Sequence, residues 1–84
     1  MNYKDTHIID LLVKRVRLET KIELENGNIL SVWNIAWGYD IADEFAHITT
    51  NISPGVDNAS IDFFYSNEIK RIFDDKNRDI SVAK

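Results

Sequence analysis

The residues best suited to chemistry lie between Tyr39 and His47, where Asp40, Asp43, Glu44 and His47 follow the aromatic residues Trp33, Trp37 and Tyr39. Carboxylates beside an imidazole can exchange protons or hold a divalent cation. The spacing Asp43-x-x-x-His47 would join the two groups on a helix face, but the pattern around His47 is that of a strand, with Asp43 on the loop before it. No nucleophile stands beside an obvious partner, and no glycine-rich loop is available to cradle phosphate. A small hydrolase built on the Asp/Glu/His group is therefore the least favoured reading. The sequence predicts no enzyme, no cofactor and no metal site. It reads this stretch as a turn whose acids face water and whose tyrosine closes the core, and His7 as an exposed helix-start residue.

Lys14, Arg15 and Arg17 form the main basic cluster, with Lys70-Arg71 as a second pair. Such groups can contact phosphate, although Glu19 and Glu23 can balance them as an ordinary solvated face. The net charge of −4 disfavours a simple electrostatic binder of DNA or of a membrane. No stretch is long and apolar enough to cross a bilayer, and the opening Met-Asn-Tyr-Lys-Asp-Thr-His lacks the apolar core of a signal peptide. With no cysteine, the chain reads as a soluble cytoplasmic protein. Its 84 residues predict a single domain. A domain of this size buries roughly 60–65% of its unfolded surface and has no disulfide to add stability, which favours oligomerisation.

The elements that must position these groups follow from periodicity. Ile8, Leu11 and Leu12, with Ile9 beside them, predict a helix over 6–15 capped by Asp5 or Thr6 and aided by the Asp10–Lys14 spacing. From Val16 the period becomes two: Val16, Leu18, Thr20, Ile22 and Leu24 face the core, while Arg17, Glu19, Lys21, Glu23 and Glu25 face water. Asn26-Gly27 predicts a tight two-residue turn. A second strand runs over 29–36 with apolar groups on both faces. Trp37-Gly38-Tyr39-Asp40 reads as a turn and 45–52 as a third strand, with Asn51 on its polar face. Residues 53–58, Ser-Pro-Gly-Val-Asp-Asn, read as the clearest loop. Residues 60–65 form a fourth strand, Ser66-Asn67-Glu68 a turn, and 69–73 a fifth strand. The fold class is thus mainly β: a short N-terminal helix (6–15), then a five-stranded, strongly bent SH3-like or Sm-like barrel (16–73). Residues 74–84 read as a loose polar tail.

Three segments carry a family resemblance. Ile22-x-Leu24-x-Asn26-Gly27 resembles the start of the first Sm motif, and Tyr39-Asp40 followed by Phe45-x-x-Ile48 resembles its end. Phe64-Tyr65-Ser66-Asn67-Glu68-Ile69-x-x-Ile72 has the spacing of the second Sm motif. Over most of residues 6–73 the chain is similar to the Sm and Sm-like (LSm, Hfq-type) proteins, ring-forming RNA binders, as a divergent and phage-type member. It departs from them in its longer Gly27-to-Asp40 spacing. The base-reading Asn of the family falls on Glu44, and its Arg-Gly pair falls on Tyr65 and Ser66.

The resemblance implies a homo-oligomeric ring of roughly five to seven subunits closed head to tail, with single-stranded RNA as ligand and a role in RNA processing or regulation. Its RNA site would use Tyr39, Asp40, Asp43, Glu44, Tyr65 and Asn67, with Lys14, Arg15 and Arg17 on phosphate. Tyr65 would replace the arginine as a stacking platform. Its subunit interface would use Phe63, Phe64, Tyr65, Ile69, Ile72 and Phe73, because the run Phe63-Phe64-Tyr65 places aromatics on both faces of one strand. The alternative is an SH3-like protein-interaction module, a small phage-type regulator, whose acidic aromatic loop, with Trp37 and Tyr39, grips a protein partner instead of nucleic acid.

Overall fold

A computed structural model describes residues 5–40, 44–52 and 60–81. Asp43 and the loop predicted at 53–58 lie outside them. Among the described residues the protein is mainly β, with one short helix, α1 (Thr6–Lys14), and two three-stranded antiparallel sheets. The strands are β1 (Thr20–Leu24), β2 (Ile29–Val32), β3 (Ile35–Gly38), β4 (His47–Thr50), β5 (Phe63–Tyr65) and β6 (Ile69–Phe73). The sheet orders are β2-β1-β6 and β3-β4-β5.

The alternation of β1 is as predicted from Thr20 onward: Thr20, Ile22 and Leu24 are buried, while Lys21 and Glu23 are half-buried on the other face. The strand does not begin at Val16. Arg17 takes a φ of +80°, which no continuing strand adopts, and its N–H bonds to the Trp33 carbonyl at 2.8 Å. Val16 and Leu18 are consequently exposed. The turn after β1 also differs from the two-residue form. Only Gly27 has positive φ, and the Leu24 N–H bonds to the Asn28 carbonyl, giving a three-residue loop with glycine in the left-handed position.

The predicted second strand is two strands. It breaks at Trp33-Asn34, so β2 belongs to one sheet and β3 to the other. Trp37 and Gly38, read from sequence as a turn, end β3 and pair with Ile48 and His47. The chain after Asp74 is not a free tail over its described part. The Asp74 N–H bonds to the Arg78 carbonyl and the Ile80 N–H to the Ile72 carbonyl, closing a second three-residue hairpin whose left-handed position is held by Asn77.

One core joins these parts. Ile8, Ile9 and Leu12 of α1 pack with Ile22, Leu24 and Val32, with Ile48 and Phe64, and with Ile69 and Ile72. The helix is too short to persist alone; burial of this face holds it in place.

Candidate functional site

Asp5 organises the interior. It stands just before α1 but makes no side-chain cap; its backbone carbonyl accepts from Ile8 and Ile9 instead. The carboxylate is fully buried and accepts the Ala46 N–H at 2.7 Å, the Tyr39 hydroxyl at 2.5 Å and the Ser66 hydroxyl. Burial alone would raise its pKa, but the bonds from Ala46, Ser66 and Tyr39 together hold it below the ordinary carboxylate value. The helix start, the end of β3, the entry to β4 and the exit from β5 therefore meet on one side chain. Asp5 and Ser66 face no solvent, so the pair is a structural joint. It also fixes Tyr39, a predicted base-contacting residue, by its hydroxyl. Sequence reasoning missed this because an aspartate ahead of a helix looks like a cap.

The outer face of β3-β4-β5 carries the exposed chemistry. Register places Gly38, His47 and Tyr65 in one row, and Ala36, Thr49 and Phe63 in the next, opposite in facing to the core row of Ile48 and Phe64. The His47 ring lies nearly parallel to Phe63, with centroids 6.1 Å apart, and edge-on to Tyr65 at 6.5 Å; Phe63 and Tyr65 meet edge-on at 5.7 Å. Phe63 is 62% exposed. Gly38 makes room for the imidazole, since a Cβ there would stand 3.2 Å from its Nε2. Asp40 Oδ2 lies 3.7 Å from His47 Nδ1, an ion pair when the imidazole is protonated. Trp37 packs edge-on to Tyr39 at 6.0 Å and stays exposed at the β3 edge.

Of the other predicted site residues, Glu44 is exposed beside the start of β4, and Asn67 is exposed in the 3-10 turn Ser66–Glu68. Among the described residues no three His, Cys, Asp or Glu side chains form a group able to hold a metal ion. The basic cluster does not act as a unit. The Arg15 guanidinium bonds Thr20 Oγ1 at 2.7 Å and the Glu19 carbonyl at 2.9 Å, and pairs with Asp75 at 3.5 Å. It ties α1 to β1 and to the second hairpin. Lys14 and Arg17 are exposed, and Arg71 pairs with Glu23 at 2.9 Å.

The predicted interface residues divide. Phe64, Ile69 and Ile72 are buried in the protein's own core, Phe73 is half-buried, and Phe63 and Tyr65 are exposed.

Asn51 is a second residue whose role sequence reasoning missed. It is buried, with φ +57°, and accepts the Trp33 N–H through Oδ1 while donating through Nδ2 to the Ser31 and Ser60 carbonyls. It joins the end of β2 to the approach to β5. The only local hint is that asparagine tolerates the left-handed region.

Compared with known protein families, with curated proteins and with solved structures, the chain finds no match.

Proposed function

We propose that this protein is a non-catalytic, Sm-like assembly module whose outer β3-β4-β5 face is covered by a second copy in a homo-oligomeric ring. The two sheets are, in this reading, halves of one strongly bent barrel. The chain passes from β2 to β3 across Trp33-Asn34 alone, and from β5 to β6 through a single 3-10 turn. Both sheets also contribute to one core. The observation that carries the assembly reading is the contiguous set of exposed Phe63 and Tyr65 with half-buried His47 beside them. Exposed aromatics in contact with one another are the usual content of an interface centre. Such a small domain, without cysteine, also gains stability from assembly. A cytoplasmic setting belongs to the same proposal and is supported by the cysteine-free composition.

The test is sedimentation of the double variant Phe63→Ser/Tyr65→Ser. Loss of the oligomer with an unchanged circular dichroism spectrum supports the reading. An oligomer that survives both changes refutes it.

Single-stranded RNA is a second reading, favoured by one observation: the His47–Phe63 stack with Tyr65 at its edge resembles a platform on which a base can lie. Against it stand Asp40 beside His47 and the use of Arg15 within the fold. Fluorescence anisotropy with short U-rich and A-rich RNA decides it. Salt-sensitive binding that is lost in Tyr65→Ala supports RNA; no binding at low salt refutes it and leaves a protein surface.

A further inference from the structure

We infer that residues 79–81 are a built-in competitor for the outer edge of β6, and that association of copies through this edge requires their withdrawal. The inference rests on the reading that the chain self-assembles. β6 is an outer strand of its sheet, with β1 on its inner side. An outer strand presents unpaired N–H and C=O groups to any second strand that approaches. Here those of Ile72 are taken from within the chain: its carbonyl accepts the Ile80 N–H at 2.8 Å, and its N–H donates to Ser81 Oγ at 2.8 Å. Phe73 pairs antiparallel with Asp79. An added strand from a second copy would need the same two Ile72 groups, so the internal and external partners exclude one another.

The return strand is well aimed but thinly held. Its aim comes from the hairpin loop. Asp74 Oδ1 accepts the N–H groups of Lys76 and Arg78, its Oδ2 accepts Arg78 Nε at 2.8 Å, and Lys21 Nζ holds Asn77 Oδ1 at 2.8 Å. Beyond the loop, the hold on Ile72 is one backbone bond and one hydroxyl bond, with Ile80 half-buried against the core. An outer strand of the second sheet is blunted in a similar way: the Tyr65 N–H of β5 is taken by Glu68 Oε2 at 2.7 Å. Both strands flanking the 3-10 turn thus have an edge group occupied by the chain itself. When a competitor occupies a site most of the time, the apparent dissociation constant rises by the inverse of the free fraction. Removing the competitor lowers it by the same factor.

The experiment compares the full chain with full-length Ile80→Pro/Ser81→Ala by sedimentation across a concentration series. Proline at 80 cannot donate to the Ile72 carbonyl, and alanine at 81 cannot accept from the Ile72 N–H. The variant is expected to reach the same defined oligomer at a concentration about tenfold lower or less. Ser81→Ala alone keeps the backbone bond and serves if the double variant does not fold. It is expected to shift association in the same direction and to speed hydrogen exchange at the Ile72 amide. Association unchanged from the parent chain overturns the inference. So does growth into undefined aggregates, which would make the segment simple edge protection.

Adding Phe63→Ser/Tyr65→Ser separates this inference from the reading beneath it. Association that persists in the released variant despite the aromatic changes rejects the outer face but keeps the edge. Association lost with the aromatics and indifferent to Ile80 and Ser81 keeps the face and rejects the edge.

Discussion

Replacing Asp5 tests the packing account at its centre. Asp5→Ala removes the acceptor for the Ala46 N–H and for the Ser66 hydroxyl, both of them buried, and for the Tyr39 hydroxyl. A buried donor left without a partner costs about 1–3 kcal/mol. Tyr39 is only half-buried and can recover a bond from water. Two orphaned donors therefore cost about 4 kcal/mol in all, within a total stability for a domain of this size of about 4–13 kcal/mol. Asp5→Asn keeps one oxygen of the same shape, so it retains part of the network and loses about 1–2 kcal/mol.

Urea unfolding followed by the fluorescence of Trp33 and Trp37 reads both variants. With a slope of about 1 kcal/mol per molar urea, the asparagine variant lowers the midpoint by about 1–2 M and the alanine variant by about 4 M. The pH dependence has a definite sign. The folded pKa of Asp5 lies below its ordinary value, so its contribution is fully present above the unfolded carboxylate pKa of about 3.9 and is lost as pH falls through the folded value. The gap between the parent chain and Asp5→Asn should hold near neutrality and close in acid. An alanine variant within about 1 kcal/mol of the parent at neutral pH, or a gap that widens in acid, refutes this account of the joint.

Other outcomes follow from single positions. Asn51→Ala should destabilise by about 2–4 kcal/mol in the same urea assay, because it orphans the Trp33 N–H and strains a left-handed backbone position. Asn51→Gly should relieve only the strain and be less damaging than alanine. Gly27→Ala has open space but a φ of +93°, so its loss should be about 1 kcal/mol, and Gly27→Asn should lose less. Arg15→Ala should cost about 1–2 kcal/mol by releasing Thr20 and Glu19, with no dependence on added RNA. Gly38→Ala should shift the His47 ring resonances by NMR while leaving the unfolding midpoint nearly unchanged, because that ring is half-exposed and can give way.

Much of the frame was legible because it is local. The buried Thr20, Ile22 and Leu24, the span of β6, and the Ile8 and Leu12 face of α1 each follow from a short-range period. What was not legible depends on distant partners. Arg17, in the turn after α1, is left-handed and gives its N–H to the distant Trp33 carbonyl. The break at Trp33-Asn34 shows no glycine or proline; Asn51, far along the chain, accepts the N–H freed there. The sequence reads Asp5 as a helix cap and Tyr39 as the tyrosine of a turn that closes the core; that the two bond to each other, 34 positions apart, has no local signal. The second hairpin was hidden by its polar loop, although Asn77 and the apolar Ile80 were its signals. At the candidate site, the run Phe63-Phe64-Tyr65 correctly announced two apolar faces. The structure assigns Phe64 to the core and leaves Phe63 and Tyr65 outside.

The most direct test of the assembly proposal is the mass of the intact, full-length chain under native conditions. A defined homo-oligomer, of a size a closed ring allows, that disappears in Phe63→Ser/Tyr65→Ser is the predicted result. A monomer at every accessible concentration would contradict it, leaving the outer aromatic face to a partner other than a second copy.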